Sequence, residues 1–110
     1  MTIEQATTID FASVDKGSGK MLLTISDHLP WTENEGVHLK LLQDKINSYL
    51  RFIESGELVE KIPEASGRAV IINVIAKFDL SNQAKIFYES ARNAANHAGY
   101  ELEFSLMRPN

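Results

Sequence analysis

The stretch from Arg68 to Phe78, RAVIINVIAKF, constrains this chain more than any other. It is a nearly unbroken apolar run, rich in branched Val and Ile, set between two segments of helical periodicity. Side chains branched at Cβ are stiff at χ1 and suit an extended backbone. A strand that is apolar at both odd and even positions belongs to the middle of a sheet and is covered on both faces, or largely so. The rest of the chain must therefore supply at least one covering layer.

Two helical stripes can do so. Leu39, Leu42, Ile46, Tyr49, Leu50 and Ile53 recur at steps of three and four, which predicts an amphipathic helix over 33–55. Thr32 and Glu35 have the spacing of a capping box at its start, and Gly56 stands where a left-handed residue would end it. The second stripe is Ala84, Phe87, Ala91, Ala94, Ala95 and Ala98, with Ser81 as N-cap and Gly99 at the end. Its small side chains allow close approach to a sheet. Between the helical and strand patterns, 57–67 (ELVEKIPEASG) holds Pro63 and Gly67 and reads as a connector, pinned to the core by Leu58, Val59 and Ile62.

Shorter strands flank this centre. Residues 8–14 and 20–26 alternate in polarity and are joined by the turn Asp15 to Gly19, the pattern of an antiparallel hairpin. Met21, Leu23 and Ile25 face one way; Leu22, Thr24 and Ser26 face the other. Near the end, Tyr100, Leu102, Phe104 and Leu106 alternate with Glu101, Glu103 and Ser105 in a half-buried strand, followed by a tail over 107–110. The order is β-β-α-β-α-β. Strands that follow helices are parallel to the strand before by default. The expected fold is a two-layer α/β sandwich, with two helices on one face of a four-stranded mixed sheet, in a single domain over 1–110.

Composition narrows the function. With 110 residues there is one core's worth of chain, and with no cysteine there is no disulfide, thiol nucleophile or thiolate zinc site. A net charge of −4, from 11 Lys and Arg against 15 Asp and Glu, argues against nucleic-acid binding. No apolar run approaches the ~20 residues of a membrane span. The start, MTIEQATTID, has neither the basic residues nor the apolar stretch of a signal peptide, so a cytoplasmic location is expected.

Two surfaces could carry function. If Val70, Ile72, Val74 and Ala76 meet the helices, then Ile71, Asn73, Ile75 and Lys77 face away, joined by Leu22 and Thr24. An apolar face of that kind is usually covered by a partner or by the chain itself. It predicts a homodimer or a complex with another protein, with Asn73 able to bond across the interface. An edge-to-edge dimer, or coverage by the N-terminal residues or the connector, is the alternative. The second surface is the carboxyl rim of the parallel strands, where ligands of open α/β sheets tend to bind. Asp27, His28, Trp31, His38 and Asp79 could gather there to hold a small cation or polar ligand, and two close carboxylates would suit acid–base work. Asp27 and Pro30 are also ordinary turn residues, and Trp31 can simply pack at a helix entrance. No histidine spacing matches a metal-ligand motif, and no catalytic constellation or cofactor-binding loop is present.

Through ISDHLPW, HLKLLQDKINSYLRFIESGE and INVIAKF the chain resembles a family of short bacterial proteins catalogued only as a domain of unknown function. The opening IDFASVDKGSGKMLLTISDHLPW is similar to that family's start. The resemblance implies a free-standing cytosolic bacterial protein, and it offers no activity, cofactor or catalytic residue to carry over. The expected function is that of a non-catalytic interaction module, acting as a homodimer or with a protein partner. The alternative is a small ligand-binding protein or enzyme using Asp27, His28, Trp31 and Asp79.

Overall fold

A four-stranded mixed sheet runs in the order β1 (Phe11–Val14), β2 (Met21–Asp27), β3 (Val70–Ala76) and β4 (Glu101–Leu106) in the computed structural model, which describes residues 11–32 and 34–106. The parts of the expected first strand and tail at 8–10 and 107–110 lie outside the described residues. β1 and β2 form the antiparallel hairpin, with Phe11 opposite Thr24 and Val14 opposite Met21. The turn between them holds itself together: Ser18 Oγ donates to Asp15 Oδ2 at 2.7 Å, and Gly19 takes a left-handed φ of 74°. The Ser18 bond holds the Asp15 carboxyl below its usual range. β2 and β3 then pair in parallel from Met21 and Val70 to Asp27 and Ala76, and β3 and β4 from Ile71 and Glu101 to Ala76 and Leu106.

The crossovers are α1 (Glu35–Glu54) and α3 (Asn82–His97). Both helices share one core with one face of the sheet: Leu42, Ile46 and Tyr49 of α1, and Ala84, Tyr88 and Ala95 of α3, cluster with Met21, Leu23, Ile25, Val70, Ile72, Val74 and Leu102. Burying the larger aliphatic side chains stabilises by about 1.5–3 kcal/mol each, which makes this layer the main source of stability. Ser81 caps α3 as expected, its hydroxyl accepting from the Ala84 amide at 3.1 Å.

Three local expectations are corrected. Asn34, not Thr32, is the N-cap of α1; its φ of 50° is left-handed and its side chain makes no capping bond. The connector is partly helical, with α2 (Glu57–Lys61) and a 3-10 turn over Pro63–Ala65; Leu58 is buried and Ile62 half-buried, whereas Val59 is exposed. On α3, Ala94 and Ala98 are exposed and Tyr88 is buried in their place, because the stripe turns through Ala84, Tyr88, Ala91 and Ala95.

Candidate functional site

The carboxyl end of β2 brings together three of the five rim residues expected from the sequence. Asp27 is the last residue of the strand and has the parity of Met21, Leu23 and Ile25, so it faces the helical layer. Irregular chain over 28–32 then leads toward α1, whose first turn carries His38. The His38 Nε2 sits 2.6 Å from Asp27 Oδ2 and 2.8 Å from Oδ1, and its Nδ1 lies 3.2 Å from the Pro30 carbonyl oxygen. A carbonyl and a carboxylate both accept, so both bonds form when each ring nitrogen carries a proton. Trp31 stacks on the other side of the ring, with centroids 3.5 Å apart and planes at 16°. Asp27 Oδ1 also accepts from the Leu29 amide at 3.1 Å, closing the turn.

This corner is sealed. Asp27 and His38 are each 2% exposed, and Trp31 is 8% exposed. A general base must reach the proton it takes. Here both ring nitrogens of His38 and both oxygens of Asp27 are already engaged. The arrangement ties the start of α1 to the end of β2. Breaking such a buried pair leaves a charge without its partner, at a cost of about 3–5 kcal/mol. The indole Nε1 of Trp31 is buried with no partner among the described residues.

The other two rim residues stand apart. His28 and Asp79 are exposed, and Asp79 accepts from the Leu80 amide next to it at 2.8 Å. The carboxylate expected to share the rim with Asp79 is thus turned inward to His38. Among the described residues no group of three or more His, Asp or Glu could hold a metal ion. Lys45 escaped the sequence reading. It is fully buried, with its ammonium 5.5 Å from the centre of the Tyr49 ring, and Tyr49 donates to the Thr24 carbonyl at 2.9 Å. Its position was signalled by spacing, since Leu42, Lys45, Ile46 and Tyr49 follow the same three- and four-residue steps.

Among the described residues, no helix packs on the opposite face of the sheet. Three rows of residues cross it: Ser13, Leu22, Ile71 and Glu101; then Thr24, Asn73 and Glu103; then Ser26, Ile75 and Ser105. Leu22, Asn73 and Ile75 are half-buried, Lys77 beyond them is exposed, and Thr24 (9% exposed) and Ile71 (7%) are nearly closed off. Ile71 is buried without belonging to the core cluster. Lys20 reaches over β3 to Glu101, Nζ to Oε1 2.9 Å, beside that residue. Asn73 Oδ1 accepts from the Ser105 hydroxyl at 3.1 Å.

Together these features define a small two-layer α/β sandwich with a latched corner and, among the described residues, one face of its sheet free of helices. The chain belongs to the family of unknown function DUF6572, whose profile matches residues 1–108. No curated protein and no solved structure matches it. No helix among the described residues is long and apolar enough to cross a membrane.

Proposed function

We propose that the chain is a non-catalytic interaction module that pairs with a second copy of itself through the open face of its sheet. The observation that carries this reading is the make-up of that face. Leu22 and Ile75 are half-buried on it, on either side of the polar pair Thr24 and Asn73, and Lys20, Glu101, Glu103 and Ser105 form a polar margin. Partly exposed apolar side chains within a polar rim fit the make-up of a protein interface. The face is also its own complement, because a two-fold axis would set Leu22 and Ile75 against apolar residues of the other copy. In the buried corner both ring nitrogens of His38 and both oxygens of Asp27 are engaged, which supports a non-catalytic reading.

Magnitude sets the kind of association. Four strands of about six residues make a face of ~19 by 20 Å, or ~400 Å². A standard interface takes about 800 Å² from each partner, so the pairing belongs with weak, concentration-dependent associations. A chain without cysteine gains nothing from an oxidising compartment, which supports a cytoplasmic location.

The test is a charge on the half-buried part of the face. Leu22→Glu with Ile75→Glu is expected to abolish self-association while the circular dichroism spectrum is unchanged. Ile71 is left alone, since a charge at a buried position would strain the monomer. Self-association that survives the double change would overturn the assignment of the surface.

A further inference from the structure

We infer that the Lys20–Glu101 ion pair is a strap across the open face of the sheet, which holds Ile71 back from the second copy until salt or a charge change releases it. The inference rests on the open-face pairing proposed above and adds its regulation. Ile71 lies on the face away from α1 and α3 and outside the core cluster, yet it is only 7% exposed. Leu22 and Ile75 on the same face are half-buried.

Strand register places the strap. Leu22, Ile71 and Glu101 form one row across β2, β3 and β4. Lys20 stands two residues before Leu22 and shares its parity. To bring Nζ within 2.9 Å of Glu101 Oε1, its side chain must cross β3 beside Ile71. A lysine lays its methylene stem on apolar surface while the ammonium keeps to a polar partner, so the crossing stem contributes to the burial of Ile71. The root of the strap is fixed. The Lys20 amide donates to Ser18 Oγ at 3.2 Å, and its carbonyl accepts from the Asp15 amide at 2.8 Å. Beyond that root the stem can swing, and Asp15 on the same turn is near enough for its carboxyl to feel the Lys20 charge. The ammonium therefore has a second carboxylate to turn to.

Magnitude makes the strap a gate that small changes can open. The two side chains are 34% and 47% exposed. Ion pairs in such surroundings favour the closed form over the open one by no more than about fivefold. A surface that pairs only when open has its affinity reduced by the open fraction. Releasing the strap should therefore tighten the pairing by about two- to fivefold for each copy.

Sedimentation equilibrium on Glu101→Ala beside the unaltered chain tests this. The dissociation constant of the variant should fall by about threefold or more. Glu103→Ala is the control, since it removes the same charge from the same strand and face without touching Lys20, and it should tighten the pairing far less. Added salt should tighten the pairing of the unaltered chain toward that of Glu101→Ala, because it screens the half-exposed pair. In dilute monomer, a soluble paramagnetic probe should broaden the Ile71 methyl resonances more strongly in Glu101→Ala. Equal association of Glu101→Ala and the unaltered chain, an equal gain from Glu103→Ala, or an Ile71 methyl no more accessible in the variant would each overturn the strap. If neither chain associates at any concentration while that methyl does become accessible, the open-face pairing fails and the gate falls with it.

Discussion

The two faces of β3 come from one apolar run yet live in different surroundings. On the helical side Val70, Ile72, Val74 and Ala76 are at most 5% exposed and belong to the core or adjoin it. On the other side the same strand offers Ile71, which is buried at 7% exposure, and the half-buried Asn73 and Ile75, with Asn73 bonded to Ser105. The helical side is apolar at all four positions, whereas Asn73 stands between Ile71 and Ile75 on the other. The helical side carries the shared core, and on the other side Leu22 and Ile75 keep part of their surface exposed.

The largest effect is expected at the latched corner, on the helical side. His38→Ala should cost about 3–5 kcal/mol in urea unfolding, because it strands the buried Asp27 carboxylate. Trp31 fluorescence should change in the folded state as its stacking partner is lost. Ile72→Ala should follow, at about 2–5 kcal/mol for a fully buried side chain. Ile75→Ala, three residues along on the open face, should cost the isolated monomer less than half as much. Equal costs at 72 and 75 would erase the distinction between the faces. Ser81→Ala should remove a single capping bond, at about 1 kcal/mol.

The smallest effect concerns pH. Burial raises the pKa of the Tyr88 hydroxyl above its ordinary value. The unfolded chain then loses that proton first, so the stability it contributes is present below pH ~10 and is lost as pH rises beyond it. Tyr88→Phe should flatten that alkaline loss measured by urea unfolding, with little change at neutral pH, since it also removes a buried hydroxyl without a partner.

Much of the fold was legible because its signals are local. Alternation placed β2 and β4, the three- and four-residue steps placed α1, and Ser81 announced the start of α3 through a bond only three residues long. The start of α1 was not legible. The spacing of Thr32 and Glu35 suggested one cap, but the chain is held eleven residues apart by Asp27 and His38, and it enters the helix through a left-handed Asn34. Asparagine tolerates that conformation better than most residues, which is the one local hint. The five-residue α2 is too short to form on its own strength and depends on docking of Leu58. At the rim, the sequence suggested Asp27, His28 and Asp79 side by side, whereas the structure joins Asp27 to His38 and Trp31. Asp27 ends β2 and Asp79 lies three residues beyond the end of the adjacent parallel β3, and strand parity turns Asp27 inward to an imidazole from the following helix.

Sedimentation equilibrium on the unaltered chain across a wide concentration range bears on all of this most directly. If the half-buried apolar residues Leu22 and Ile75 on the sheet face away from α1 and α3 meet a second copy, the mass should climb with concentration from 12.3 kDa toward twice that value. A mass fixed at 12.3 kDa up to the highest attainable concentration would contradict it.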